Sequence, residues 1–195
     1  LCLAGVLLRY LLYLFFFAVL MRGSVKYTQI SEIFSSVTYI VASFTALSVI
    51  RYMPNGVWNL SLVFLAAWGT DIFAYFVGTF IGKHKLIPEI SPKKTVEGSV
   101  GAIILDIGAF ILFGFIVSLA TDVSANYLIL ALSGLLLSVI SQLGDLIASL
   151  IKREHGVKDY GNILPGHGGI MDRFDSVLAV TTVLMMICIL FPPFV

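Results

Sequence analysis

Between Ser149 and Asp175 the chain gathers the side chains most able to do chemistry. Lys152, Arg153, Lys158 and Arg173 alternate with Glu154, Asp159, Asp172 and Asp175, and Gly161, Gly166, Gly168 and Gly169 lie among them. Carboxylates without thiolates suit a hard, oxygen-seeking cation such as Mg²⁺. Lysine suits phosphate oxygens as a point charge, and arginine suits them as a planar fork. Glycines let backbone N–H groups approach an anion closely. The mixture therefore reads as a metal–polyphosphate site. A plain alternative is a basic loop on the cytoplasmic side of a membrane with a tight turn in it. That accounts for the bases but not for acids of equal density, nor for the acids in the flanking segments. The three histidines lack metal-ligand spacing, and no Ser–His or Cys–His constellation stands out.

Apolar segments must position these groups. Of the 195 residues, 59% are hydrophobic and 12% charged, with a mean hydropathy of +1.02. A soluble domain carries about 25% charged residues, so the expected class is all-α: a polytopic integral membrane protein. A spanning helix needs ~20 apolar residues. Six segments qualify: 2–21, 31–50, 57–81, 98–119, 126–154 and 172–191. They make one membrane domain over 1–195, with N-terminal helices in 1–54 and catalytic helices and loops in 55–195. The first segment has no basic leader or cleavage pattern, so it does not read as a signal peptide. The chain begins at Leu1, and further N-terminal helices are expected before it. Cys2 and Cys188 lie in apolar segments and read as packed or lipid-facing thiols, not as a disulfide or a metal pair. The net charge of +1 gives no reason to expect nucleic acid.

The loops after the first, third and fifth segments hold ten of the twelve cations: Arg22, Lys26, Lys83, Lys85, Lys93, Lys94, Lys152, Arg153, Lys158 and Arg173. That asymmetry places them in the cytoplasm. Asp71, Tyr75, Gly78 and Gly82 recur at helical spacing on one face of the third segment, and Gly78 and Gly82 suggest close helix packing. Pro88 and Pro92 make 83–97 a fixed, non-helical connection. Taken alone, Lys93 and Lys94 read as a pair binding lipid headgroups. Ser138, Ser141 or Gln142, Asp145, Ser149 and Lys152 form a polar stripe on the fifth segment. Hydrogen bonding between helices explains the serines, but it explains a carboxylate poorly. Asp172 and Asp175 open the last segment, where helix-capping acids are also at home. Asp106, alone among apolar residues, receives no role.

Spelled out, residues 149–175 read S-x-x-K-R-x-x-x-x-K-D-x-G-x-x-L-P-G-H-G-G-x-x-D-R-x-D. This resembles the signature of the phosphatidate cytidylyltransferase family, the CDP-diacylglycerol synthases. The order Asp71…Ala-Tyr75…Gly78…Gly82-Lys83…Pro88…Ser91-Pro-Lys-Lys-Thr-x-Glu-Gly98 resembles the family's second block. The resemblance implies Mg²⁺-dependent transfer of CMP from CTP to phosphatidic acid at a bacterial inner membrane. It implies catalytic roles for Asp145, Asp172, Lys152, Arg153, Lys158 and Arg173. Asp145 and Asp172 would hold the metal, with Asp175 a further candidate and room for a second cation. Lys93, Lys94, Ser91, Ser149, His167, Gly168, Gly169 and Asp71 would bind substrate. A homodimer is compatible with it.

Two carboxylates that share a cation nearly touch, since Mg²⁺–oxygen distances are about 2.1 Å. Asp145 lies ~14 Å before the end of its helix at 1.5 Å per residue. The loop after it must then fold back into the membrane, making a polar funnel that faces the cytoplasm. Rival readings are a CTP-dependent polyprenol or phytol kinase and an ion transporter using Asp71, Asp106 and Asp145. A CDP-alcohol phosphotransferase is rejected because its Asp-x-x-Asp-Gly-x-x-Ala-Arg motif is missing.

Overall fold

The computed structural model describes residues 2–21, 26–161 and 169–195. The chain divides into two units, Leu1–Thr45 and Ala46–Val195. The first contains α1 (Cys2–Leu20) and the beginning of α2 (Tyr27–Tyr52). Within it Tyr10 stacks on Phe34 and Phe15 on Tyr27, while Leu8, Leu12, Phe16 and Val19 face outward.

The second unit continues α2 and adds α3 (Gly56–Phe80), β1 (Lys85–Ile87), β2 (Ser91–Thr95), α4 (Val96–Ala120), α5 (Tyr127–Glu154) and α6 (Met171–Leu190). All six segments expected from the sequence are helices. Five of them, α2 to α6, are long and apolar enough to cross a membrane, and residues 5–20 of α1 make a shorter apolar helix. The chain is a polytopic, mainly helical integral membrane protein.

Local signals set the ends. Asn55 takes a left-handed turn (φ 56°) before α3. Thr95 caps α4 by accepting from Gly98 N, and Asn126 caps α5 by accepting from Ile129 N. Each satisfies an N–H that the first helical turn leaves without a partner. Pro192 and Pro193 follow α6. Helix α3 is interrupted at Leu65–Gly69 by a π turn, which nothing in the sequence announced.

Helix α4 packs between α3 and α5, and α5 packs between α4 and α6. Phe110, Leu130, Leu137, Val177, Val180 and Leu184 fill the interior. Leu112, Phe115, Leu119, Leu128 and Ile147 point outward, as expected where the surroundings are lipid tails. Gly78 and Gly98 let α3 and α4 nearly touch: a Cβ on Gly98 would stand 3.1 Å from Gly78 Cα and 2.7 Å from Ala74 O. Gly78 thus packs closely, as expected, with Gly98 as its partner.

The connection 83–97 is non-helical, as its prolines predict, and adds a strand pair to the otherwise helical fold. It folds as an antiparallel hairpin pairing Lys85 with Thr95 and Ile87 with Ser91. Pro88 and Pro92 bar a helix there, and Pro92, which cannot donate to a ladder, sits where the pairing is irregular.

Candidate active site

The hairpin and helices α3, α4 and α5 enclose a cavity of about 230 Å³. Asp71 and Tyr75 enter it from α3, Ser91, Lys93 and Lys94 from β2, Ser99 from α4, and Gln142 from α5. The hairpin is tied down at its base. Glu97 Oε2 accepts from Lys83 N (3.1 Å) and His84 N (3.2 Å), and Glu97 Oε1 lies 2.6 Å from His84 Nδ1. Val96 N donates to His84 O at 2.9 Å. Glu97 therefore fixes the strand that carries both lysines. Across the cavity Ser99 Oγ donates to Gln142 Oε1, and Gln142 Nε2 returns a bond to Ser99 O at 3.4 Å.

Lys94 reaches Asp145. Its ammonium lies 2.5 Å from Asp145 Oδ2 in a largely buried ion pair. Asp71 lies within electrostatic reach of Asp145, Lys94, Asp175 and Asp106. Asp175, 7% exposed, feels those of Asp145 and Lys152, and its Oδ1 accepts from Ser176 N at 2.7 Å. The backbone beside Asp145 explains this closeness. At Gly144, α5 approaches α6 so nearly that a Cβ would stand 2.6 Å from Ala179 Cβ and 3.3 Å from Asp175 O.

Asp172 is held differently. Its Oδ1 accepts from Lys152 Nζ at 2.7 Å, and its Oδ2 accepts from Tyr160 N (2.8 Å) and Gly169 N (2.9 Å). Both side chains of the Lys152–Asp172 pair are more than 90% buried. The Lys152 ammonium also sits 5.2 Å from the Tyr160 ring centre. Tyr160 Oη donates to Ala148 O at 3.2 Å. Burial pushes that phenol up from its usual range, so it stays protonated and able to donate. The described part of the 155–170 connection thus folds back along α5. Trp68 Nε1 adds a 3.4 Å bond to Arg173 O, joining α3 to the start of α6.

Some expected site residues come together and others do not. Asp71, Ser91, Lys93 and Lys94 share the cavity, and Asp145 meets it through Lys94. Asp172 and Lys152 form a separate pair nearer the end of α5, and Asp175 is the α6 carboxylate placed to sense Asp145. Gly169 gives its N–H to Asp172, where an anion had been expected. Arg153 bonds Val157 O at 3.2 Å and is exposed, as is Lys158. Ser149 is half-buried and Arg173 exposed. His167 and Gly168 lie outside the described residues. Sequence reasoning missed the Glu97 clamp, Tyr160 and Trp68. Glu97 alone left a signal, as the acid that follows the lysine pair.

A hard cation suits this donor set. Asp71, Asp145 and Asp175 offer oxygen from three helices, with Lys94 the ammonium in contact with Asp145. Among the described residues no three acidic, histidine or cysteine side chains converge into a closed shell. Mg²⁺ needs only one or two protein carboxylates beside water and substrate phosphates.

The Cytidylyltransferase family model matches residues 2–191. The chain is 42% identical over 178 residues to a phosphatidate cytidylyltransferase of Bacillus subtilis (strain 168), covering 90% of this chain and 64% of that protein. It is 40% identical over 173 residues to one from Staphylococcus haemolyticus (strain JCSC1435), covering 89% and 64%. It is also 40% identical over 177 residues to one from Staphylococcus aureus (strain COL), covering 89% and 64%. The chain thus spans about 64% of the length of these curated relatives.

Proposed function

We propose that this chain, which belongs to the Cytidylyltransferase family, carries the catalytic part of an enzyme that moves CMP from CTP to phosphatidic acid, releasing pyrophosphate. One observation carries the reading beyond family membership. Asp71, Lys93 and Lys94 line one cavity between membrane helices, and Lys94 there meets the Asp145 carboxylate. Acids and bases interleaved at that depth suit a metal and a polyphosphate, and are costly for anything less.

The chemistry asks little of an acid–base group. A phosphate monoester with a second pKa near 6 is mostly dianionic at neutral pH. Its oxygen attacks the α-phosphorus of CTP, a new P–O bond forms, and the bond to the β-phosphate breaks. The protein must align two anions and neutralise their charge. Lys94 lines the cavity, and the N–H groups it does not turn to Asp145 can meet phosphate oxygens there. Lys93 on the same strand adds positive charge. Lys152, Arg153, Lys158 and Arg173 support the leaving pyrophosphate. Asp145 and Asp175 would hold Mg²⁺, and Asp172 would join them only by giving up Lys152. The ion would supply Lewis-acid charge to the phosphates, and a second cation is compatible with the number of acids.

The cation count on the loops supports a cytoplasmic position for this side, and the bacterial relatives support the inner membrane as its location. Lipid tails would stay in the bilayer and enter between helices. A homodimer fits this reading without being required by it. The test is product analysis. Purified full-length protein is incubated with phosphatidic acid, Mg²⁺ and CTP labelled at the α- or γ-phosphate. The reading expects α-label in lipid and γ-label in pyrophosphate. Label from the γ-position in lipid, with CDP released, would replace it with a CTP-dependent lipid kinase.

A further inference from the structure

Asp106 lies on α4 away from the cavity, and no step above uses it. It is wholly buried. None of the ion pairs among the described residues includes it, although an unpaired buried charge is costly. Its Oδ2 hydrogen-bonds Thr70 Oγ1. Thr70 Oγ1 also lies 2.5 Å from Ala66 O and 3.3 Å from Ser138 Oγ. Asp106 Oδ1 has no hydrogen-bond partner and faces Gly69, where a Cβ would stand 3.3 Å away.

Counting protons favours one state of this cluster. Three oxygens surround Thr70 Oγ1: Ala66 O and the Asp106 carboxyl compete for its single proton, and Ser138 Oγ carries a proton of its own. A charged Asp106 would leave one of these contacts as oxygen against oxygen. A neutral Asp106 resolves the count: its own O–H donates to Thr70 Oγ1, and Thr70 O–H donates to Ala66 O.

Ala66 and Ala67 belong to the π turn Leu65–Gly69. A π turn inserts a residue and disturbs the regular carbonyl ladder. Here side chains add to two of its carbonyls: Ala66 O, which already accepts from Thr70 N, also meets Thr70 Oγ1, and Ser141 Oγ donates to Ala67 O at 3.4 Å. One inserted residue rotates everything downstream by about 100°, given 3.6 residues per turn. Asp71 is the next residue after Thr70, and it is the α3 carboxylate that faces the cavity.

We propose that Asp106 is a positioning residue: a neutral acid that clasps Thr70, holds the π turn in register and so aims Asp71 toward Lys94 and Asp145. The proposal rests on reading the cavity as the active site, and its test includes a readout independent of activity. Asp106→Asn keeps a neutral donor, whereas Asp106→Leu keeps bulk and loses the donor. In label transfer from CTP, Asp106→Asn should stay within about threefold of wild type, the net worth of one neutral hydrogen bond. Asp106→Leu should fall by about 10²-fold, the cost of a misplacement near 1 Å. In an Asp71→Asn background Asp106→Leu should cost nothing further, because its effect passes through Asp71.

The independent readout uses Asp71→Cys with Cys2 and Cys188 replaced by serine, and a charged, water-soluble thiol reagent. Adding Asp106→Asn should leave the labelling rate of residue 71 unchanged, and adding Asp106→Leu should slow it severalfold. If Asp106→Leu fails to fold, Thr70→Ser and Thr70→Val make the same contrast, with Ser active and Val not. Asp106→Asn as inactive as Asp106→Leu would overturn the proposal, because charge would then be what matters. Full activity and labelling in Asp106→Leu would overturn it equally. A wild type that transfers no label would sink the functional reading, and the labelling rates would still decide the positioning claim.

Discussion

Acidic residues are kept inside this helical bundle in two opposite ways. Asp145 and Asp172 each meet a lysine, at 2.5 and 2.7 Å, and Asp71 opens onto a cavity. Asp106, on the helix packed directly against that of Asp145, meets the Thr70 hydroxyl and no cation among the described residues, and is sealed from solvent. The first arrangement keeps charges available to something that enters. The second removes a charge and uses the acid as a hydrogen-bonding part of the frame. Sequence position does not distinguish them, since every one of these aspartates lies in an apolar segment. Their partners do.

The sharpest break between the two sets should come from Asp145→Asn. It keeps the shape, removes a ligand charge and should lower CMP transfer by about 10³-fold, the upper range for loss of one electrostatic contact to a transition state. The protein should still fold, because the Asp145 side chain is only partly buried. Label transfer and a thermal melt check the two halves of that statement.

Lys152→Met tests whether the buried pair supports the fold as well as the chemistry. It strands a carboxylate that is 7% exposed, and breaking a buried pair costs about 3–5 kcal/mol. Adding Asp172→Asn should recover much of that loss in a denaturation experiment. Next comes Gly98→Ala. Its Cβ would collide with Ala74 O and Thr95 Oγ1, which should cost about 1–3 kcal/mol as overpacking and push the hairpin away from the cavity. Gly108, with open space around it, is the control and should tolerate alanine. Smallest is Glu97→Gln. It weakens the clamp on the hairpin without emptying the cavity, so the KM for CTP should rise about three- to tenfold, a loss on the scale of one ordinary hydrogen bond, with little change in melting temperature.

The apolar segments made the helices legible, and the observed bounds differ from the expected ones by a few residues, the most at the start of α2. Hydrophobic length is a local property, and the chain states it locally. The signature and the second block named most residues of the site. Their partners were not legible. Lys94 and Asp145 are 51 residues apart in sequence, and Thr70 and Ser138 are 68 apart. Which side chains meet depends on how α3, α4, α5 and α6 slide against one another, set by contacts such as Gly78 on Gly98 and Gly144 on Ala179. The π turn was equally hidden, because Leu65-Ala-Ala-Trp-Gly69 reads as ordinary helix. Its support comes from Asp106, Thr70 and Ser141 through tertiary contacts. The expected pairing of Asp145 with Asp172 followed from the resemblance alone. The packing at Gly144 places Asp175 beside that level of α5 and leaves Asp172 with Lys152.

One measurement bears most directly on the division between the two acidic sets. Wild-type protein, Asp145→Asn and Asp106→Asn are given phosphatidic acid, Mg²⁺ and α-labelled CTP, and the label extracted with lipid is counted. The account predicts transfer by the wild type and by Asp106→Asn, and loss of it in Asp145→Asn. Transfer by Asp145→Asn at the wild-type rate, or a dead Asp106→Asn beside it, would contradict it.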